Sequence, residues 1–177
     1  IKANEVLVKV KAIGINPVDV KVRSRQAPLA EELVQYDPLI LGWDISGEVV
    51  EIGNEVTRFQ IGDEVFGMVN FVGHGRGYAE YVAALEEHLA LKPKNSSHVE
   101  AAASTLAALT AWQAFKDYGK LRPKDKVLIH AASGGVGHFA IQIAKHIGAY
   151  VIAVSSVSNR DFVLKLGADE HIDYKTI

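Results

Sequence analysis

The stretch Lys126-Val-Leu-Ile-His-Ala-Ala-Ser-Gly-Gly-Val-Gly-His-Phe-Ala-Ile-Gln-Ile-Ala-Lys145 decides the fold of this chain. The apolar run at its start predicts a buried strand, and apolar residues at helical spacing after the glycines predict a helix. Strand, glycine-rich turn and helix together are typical of the start of a dinucleotide-binding unit, in which Gly134 admits a pyrophosphate and Gly137 allows close helix–strand packing. Ala132 replaces the first glycine of the usual G-x-G-x-x-G pattern, so the surrounding elements must support the interpretation.

The residues after this stretch continue the same unit. Tyr150–Val154 is a second apolar run, a helix is expected from about Asn159 to Leu166, and His171–Tyr174 resembles a third strand. Strand–helix–strand–helix–strand is the mononucleotide-binding half of a Rossmann fold. The alternative is an ordinary parallel α/β unit whose glycine-rich turn is only a tight connection.

The end of the second predicted strand bears on the choice of cofactor. An NAD site usually carries Asp or Glu there, about 20 residues after the glycines, to bind the ribose 2′-hydroxyl. This chain instead has Ser155 and Ser156, followed by Val157, Ser158, Asn159 and Arg160. Hydroxyl, amide and guanidinium groups suit a 2′-phosphate, so we expect NADP(H) rather than NAD. Alternatively, Ser158 caps the next helix and Arg160 is solvated.

Composition excludes several functional classes. The 177 residues carry a net charge of −2, with 49% hydrophobic and 23% charged residues, which gives no electrostatic case for nucleic acid or an acidic membrane surface. No apolar run reaches the length of a membrane span, and no signal peptide is evident. The absence of cysteine excludes disulfides and thiolate metal sites, and we expect a cytoplasmic enzyme. Because the chain begins without Met and ends after a third Rossmann strand, we expect a piece of a longer polypeptide.

The first part of the chain has a different hydrophobic pattern. Glu5–Ile13 alternates apolar and polar residues, and several further short strands with turns follow, which predicts a β-rich domain. Ser97–Glu100 resembles a capping box that opens a helix, and a second helix is expected from about Thr110 to Tyr118. We therefore place the domains at residues 1–95 and 96–177.

Six motifs in a fixed order resemble one family. They are Gly14-Ile-Asn-Pro-Val-Asp-Val-Lys21, Gly42-Trp-Asp-Ile-Ser-Gly-Glu-Val-Val50, Gly62-Asp-Glu-Val-Phe-Gly67, Gly77-Tyr-Ala-Glu-Tyr81, Ala131-Ala-Ser-Gly-Gly-Val-Gly137, and Leu166-Gly-Ala-Asp169 leading to Ile172-Asp-Tyr174. Together they resemble the zinc-independent medium-chain dehydrogenase/reductases of the quinone oxidoreductase and alkenal reductase type. The resemblance implies an α/β protein in which a GroES-like β-rich domain precedes a Rossmann domain, with the active site between them.

Departures from the zinc-dependent branch of that superfamily predict that no metal is bound. That branch has Cys where this chain has Asn16, and Gly-His-Glu where this chain has Gly42-Trp43-Asp44. The four-cysteine structural zinc lobe is also missing. Amide and indole groups do not supply a first coordination shell for zinc, and the scattered histidines do not replace one.

The resemblance implies an NADPH-dependent reductase of quinones or α,β-unsaturated carbonyls that works by hydride transfer without zinc. The cofactor supplies the difficult chemistry, and the protein supplies orientation and hydrogen bonds to the developing oxyanion. One alternative is an enoyl-thioester reductase of the same superfamily. Another is a non-catalytic NADPH-binding protein. The family also implies a small-molecule substrate and a homodimer as the full-length state.

The resemblance implies roles for individual residues as well. Asn16 and Lys21 belong at the nicotinamide side, where they are the candidate catalytic residues, although Lys21 could equally be a solvated surface lysine. Thr110 matches a position near the nicotinamide amide, or it is a helix N-cap. The remaining cofactor-binding candidates face the pyrophosphate or the 2′-phosphate: Ser133, Gly134, Gly135, Val136, Ser156, Ser158, Asn159, Arg160 and Tyr174.

A loop from Phe71 to Gly77, followed by Tyr78, is expected to close over substrate because it is rich in glycine. Tyr174, at the end of the third strand, could instead be a packed aromatic side chain.

Overall fold

The computed structural model describes residues 1–176 and shows two compact units. The first spans Ile1–Leu106, and the second begins at Ala107. This division falls within a helix, whereas the limits proposed from composition, residues 1–95 and 96–177, meet in the turn before that helix.

The first unit is built on a five-stranded antiparallel sheet. Its strands are β1 (Glu5–Gly14), β2 (Asp44–Ile52), β3 (Glu64–Met68), β4 (Tyr81–Leu85) and β5 (Ala90–Leu91), in the spatial order β4-β1-β2-β3-β5. The alternation predicted for β1 is confirmed, because Val6 and Val8 are fully buried while Lys9 is exposed. These valines pack with Ile45, Val49 and Val65 into one apolar core.

Two short helices follow β1. Helix α1 (Pro17–Arg23) begins with proline, whose missing N–H is not needed in the first turn, and helix α2 spans Leu29–Leu33. Their buried apolar residues pack around Trp43, which is 1% exposed. A 3₁₀ turn at Glu86–His88 connects β4 to β5.

Helix α3 (His98–Gln113) corrects one expectation. The predicted capping box is confirmed: Ser97 Oγ accepts a hydrogen bond from the Glu100 N–H at 3.2 Å, and Glu100 accepts one from the Ser97 N–H at 2.8 Å. The two helices expected after the capping box are one continuous helix, which widens into a π-helical turn at Ala114–Tyr118. No glycine or proline lies between Ser97 and Tyr118 to end the helix, so Thr110 is inside it and is not an N-cap.

The second unit confirms the predicted Rossmann half. Its parallel strands are β6 (Lys126–Ile129), β7 (Tyr150–Ser155) and β8 (Glu170–Asp173), in sequence order across the sheet. Helix α4 (Gly135–Ile147) joins the first two, and a 3₁₀ turn at Val157–Asn159 with helix α5 (Arg160–Lys165) joins the last two. The core includes Ile129, Ala140, Ile141, Val151 and Val163.

Candidate dinucleotide-binding site

The turn between β6 and α4 allows backbone to approach backbone closely. A Cβ atom on Gly137 would lie 2.3 Å from the Ala131 carbonyl oxygen and 2.7 Å from Ala132 Cα, distances that no side chain tolerates. Ala132 is itself fully buried, and its N–H donates to the Val154 carbonyl at 3.0 Å, which ties the turn to β7. The helix therefore begins close to the carboxyl edge of the sheet, where its first N–H groups have no intrahelical acceptor.

A pocket of about 380 Å³ opens at this edge of the sheet. Its lining residues come from the turn, from the end of β7 and from the residues after β7 and β8: His130, Ala131, Ser133, Gly134, Val154, Ser155, Ser156, Asn159 and Tyr174. No Asp or Glu is among these described lining residues. The pocket wall thus offers hydroxyl, amide and imidazole groups and no carboxylate that would repel an anion.

Several residues predicted from the sequence form one hydrogen-bond network in this pocket. Asn159 Nδ2 donates to Ser133 Oγ at 3.0 Å and to Ser156 Oγ at 3.2 Å, and Ser156 Oγ lies 2.9 Å from Ser158 Oγ. Ser158 does not cap helix α5, because Asn159 occupies the N-cap position. These hydrogen bonds link the glycine-rich turn to the segment that follows β7.

The other predicted residues lie around this hydrogen-bond network. Gly135 and Val136 form the first turn of α4, and a Cβ on Gly135 would meet no atom within 4 Å. Arg160 begins α5, and its guanidinium lies 3.8 Å from the Asp161 carboxylate. Tyr174 is 55% exposed beside the pocket.

The cofactor-binding residues predicted from the sequence leave out four residues of the pocket: His130, Ala131, Val154 and Ser155. His130 follows β6, and Ser155 ends β7 with its Oγ 3.0 Å from His171 Nε2. Both stand where a parallel strand ends, which is the position that binds ligands in open α/β sheets, and this signal could have identified them. The pairing with His171 depends on the register of β7 and β8 and has no local signal.

In the first unit, Asn16 is held between two buried acids. Asn16 Nδ2 donates to Asp44 Oδ2 at 2.8 Å, and the Asn16 backbone N–H donates to Asp19 Oδ2 at 2.8 Å. Burial raises the pKa of Asp44 and the nearby Asp19 charge adds to that shift, while the neighbouring Thr105 hydroxyl and the hydrogen bond from Asn16 oppose it. The other catalytic candidate, Lys21, is exposed on α1.

Tyr78 lies beside these acids. Burial, followed by the Asp19 charge, raises the pKa of Tyr78, so its hydroxyl is protonated at physiological pH. Gly42 has a φ of +91°, and a Cβ there would lie 2.3 Å from the Tyr78 ring. This glycine therefore gives the tyrosine room to enter the unit.

Two further findings concern residues 1–176. Within this range, no group of three His, Cys, Asp or Glu side chains is arranged to hold a metal ion. His74, one of the scattered histidines, accepts a hydrogen bond from the Ile40 N–H at 3.0 Å and stacks on Tyr36. In the same described range, no helix is long and apolar enough to cross a membrane.

A β-rich unit followed by a parallel sheet with a glycine-rich turn defines a class of two-domain dinucleotide-dependent proteins, and comparison with known sequences identifies the family. The alcohol dehydrogenase GroES-like domain matches residues 2–94, and the domain described as zinc-binding dehydrogenase matches residues 135–177. The chain belongs to the medium-chain dehydrogenase/reductase superfamily, and quinone oxidoreductases are among its relatives, as the motifs predicted.

Individual relatives agree with this assignment. A chloroplast envelope quinone oxidoreductase homolog of Arabidopsis thaliana is 41% identical over 180 residues, covering 99% of this chain and 54% of that protein. The quinone oxidoreductase of Coxiella burnetii superposes with a TM-score of 0.91 at 41% identity, covering 99% of this chain and 55% of the other. For the Escherichia coli quinone oxidoreductase complexed with NADPH the TM-score is 0.83 at 32% identity, with 99% and 52% covered.

This chain spans about half the length of each of these relatives. The Arabidopsis relative is named for the chloroplast envelope, so the cytoplasmic location expected from composition is not confirmed and stays a proposal.

Proposed function

We propose that the complete polypeptide is an NADPH-dependent oxidoreductase that reduces quinones or α,β-unsaturated carbonyls by hydride transfer without zinc. The observation that carries the proposal is the pocket at the carboxyl edge of the parallel sheet, lined by Ser133, Ser156 and Asn159 and by no acid among its described residues. The quinone oxidoreductase names of the relatives support the reaction class, and the NADPH complex of the Escherichia coli relative supports the cofactor.

The pocket fits the cofactor by the chemistry of its donors. The first N–H groups of α4, from Gly135 and Val136, together with Ser133 and Gly134 would bind the pyrophosphate, because a helix N-terminus favours negative charge. Ser156, Ser158, Asn159, Arg160 and Tyr174 would bind the 2′-phosphate. Asn16, Lys21 and Thr110 would face the nicotinamide.

The bound nicotinamide supplies the hydride, and the residues of this chain bind, orient and stabilise. Asn16 offers a half-buried amide, which can donate a hydrogen bond to an oxygen that gains negative charge. Asn16, Trp43 and Asp44 stand where the resemblance places Cys, His and Glu of the zinc-dependent branch. An amide and an indole are not zinc ligands, which favours a reaction without that metal.

The direct test measures oxidation of NADPH and NADH by the complete polypeptide, with a quinone and a 2-alkenal as separate acceptors. We expect oxidation that requires an acceptor, is unaffected by a chelator and is faster with NADPH. An enoyl-thioester reductase would instead oxidise NADPH only with an enoyl thioester. Tight binding of NADPH with no oxidation by any acceptor would indicate the non-catalytic alternative.

One substitution tests the phosphate assignment. Asn159→Asp places a carboxylate beside Ser133 and Ser156, so we expect the affinity for NADPH to fall about ten- to a hundredfold while that for NADH changes little. Asn54→Asp, in an exposed turn after β2, makes the same chemical change away from the pocket and should leave both affinities unchanged. Equal losses for NADPH and NADH would refute the assignment.

We also propose that the complete polypeptide is a homodimer. Sedimentation or light scattering at several concentrations tests this, and a monomer at all of them would refute it.

A further inference from the structure

The first unit buries two acids that have no cationic partner. Asp44 is 1% exposed and Asp19 is 3% exposed, yet none of the ion pairs formed by residues 1–176 includes either carboxylate. Within the same residues, Asp44 Oδ1, Asp19 Oδ1 and Tyr78 Oη are buried without a hydrogen-bond partner. Buried acids without a compensating charge oppose folding, so stability does not explain their presence.

Glycines make room for this arrangement. A Cβ on Gly14 would lie 2.8 Å from Asp44 Cβ and 2.8 Å from the Ala102 carbonyl oxygen, so only glycine allows β1, β2 and α3 to meet around Asp44. Gly42 does the same for the Tyr78 ring. The motifs Gly14-Ile-Asn and Gly42-Trp-Asp therefore bring Asn16 and Asp44 together across 28 residues of sequence.

The hydrogen bonds of Asp44 determine the orientation of the Asn16 amide. Asp44 Oδ2 accepts from Asn16 Nδ2 at 2.8 Å and also from the Leu106 N–H at 3.2 Å. Because an oxygen that accepts from two donors presents its lone pairs to both, a proton on Asp44 belongs on the unpartnered Oδ1. Oδ2 remains an acceptor in both protonation states, so it always faces the Nδ2 end of Asn16.

The consequence for Asn16 is a fixed set of free groups. Nδ2 points at Asp44, which leaves the amide oxygen and the second Nδ2 hydrogen for other partners. Asp19 meanwhile holds the Asn16 backbone N–H at the start of α1. Asn16 is half-buried whereas both acids are buried, so Asn16 is the polar group of this set that other molecules can reach.

We propose that Asp44 is a positioning residue for the reaction and acts by fixing the orientation of the Asn16 amide. The inference rests on the proposed function, because it assumes that Asn16 contacts the cofactor or the substrate. Asp44 itself touches neither. It selects the amide orientation that presents one N–H and the carbonyl oxygen outward.

A double-mutant cycle tests this proposal with Asp44→Asn and Asn16→Ala. Asn at position 44 can present either oxygen or nitrogen to Asn16, so both orientations of the Asn16 amide become accessible. We expect Asp44→Asn to lower kcat about five- to tenfold, which corresponds to the difference in strength between a hydrogen bond to a charged acceptor and one to a neutral acceptor. The KM for NADPH should change little. In the Asn16→Ala background the same substitution should have no further effect, because the amide that it orients is gone.

Glu48→Gln is the matched control, because it removes a partly exposed carboxylate from the same strand and should leave kcat unchanged. Equal losses from Asp44→Asn in both backgrounds would overturn the proposal, as would a kcat equal to that of the wild type. If the wild type binds NADPH but does not oxidise it in the presence of any of the acceptors, both the proposed function and this inference are refuted. An active wild type with additive losses would refute the inference alone.

Asn16→Asp provides a second readout if Asp44→Asn does not fold. Asp at position 16 can donate to Asp44 only when it is protonated. Its kcat relative to the wild type should therefore rise as the pH is lowered from about 8 to about 5, because protonation restores the donor. A ratio that does not change with pH would contradict the orienting role of Asp44.

Discussion

Substitution of Gly137 by alanine tests the packing of the glycine-rich turn. The added Cβ would lie 2.3 Å from the Ala131 carbonyl oxygen and 2.7 Å from both Ala132 Cα and the Ala132 carbonyl oxygen, whereas ordinary contact begins at 3.4 Å. All three neighbours are backbone atoms, so no side-chain rotation relieves the overlap. Helix α4 must move away from the turn by roughly 1 Å, which separates it from the sheet that it covers.

The cost follows from this displacement. Overpacking of a tight core typically costs about 1–3 kcal/mol, and a clash with backbone belongs at the upper end, so we expect about 3 kcal/mol. At roughly 2–4 °C per kcal/mol for a protein of this size or larger, the melting temperature should fall by about 6–12 °C. Thermal unfolding monitored by circular dichroism measures this shift.

Gly135→Ala is the matched control. It lies two residues earlier in the same helix, and its Cβ would meet no atom within 4 Å, so the melting temperature should change by less than about 2 °C. The same open space is where we propose that the pyrophosphate binds, so Gly135→Ala should still weaken NADPH binding. A Gly137→Ala protein as stable as the wild type, or a Gly135→Ala protein equally destabilised, would refute the packing argument.

Three further substitutions test individual contacts. Because the pKa of Asp44 is raised, this group favours folding at low pH and opposes it as the pH rises through the raised pKa. The Asp44→Asn protein should therefore have a higher melting temperature than the wild type at about pH 8, and the difference should shrink toward about pH 4. The Lys145 ammonium, 2.8 Å from Asp169 Oδ2, holds the pKa of Asp169 below its usual value, so stability from this pair is present above that value and is lost as the pH falls. Asp169→Asn should cost about 1 kcal/mol or less at neutral pH, since the pair is partly solvated, and nothing at low pH; urea unfolding at both pH values checks this. Ser97→Ala removes the α3 cap and should cost about 1 kcal/mol, measured by urea unfolding, with Ser96→Ala in the preceding turn as the control.

Local patterns predicted the elements that depend on residues close in sequence. The β6–turn–α4 unit, the alternation of β1 and the capping box at Ser97–Glu100 each rest on propensities and hydrogen bonds within a few residues. The helix after Ser97 was predicted too short, because the second helix start expected at Thr110 had no glycine or proline before it to end the first. A continuous run of helix formers decides such a case, and it is visible in the sequence.

The composition and order of the motifs were sufficient to predict the superfamily, the two-domain α/β organisation and the set of hydroxyl and amide residues after β7. They determined these properties because each depends on residue identity at short spacing. Only the tertiary structure showed that Asn159 joins Ser133 to Ser156, that Ser155 pairs with His171, and that Asp44 holds Asn16. Except for the Asn159–Ser156 bond, each of these contacts joins two residues that are separated by 16 to 28 positions in the sequence. The register of the sheets and the close packing that glycine permits bring these residues together. Neither register nor close packing is encoded in any single stretch of the chain, because both arise only when distant strands and helices meet.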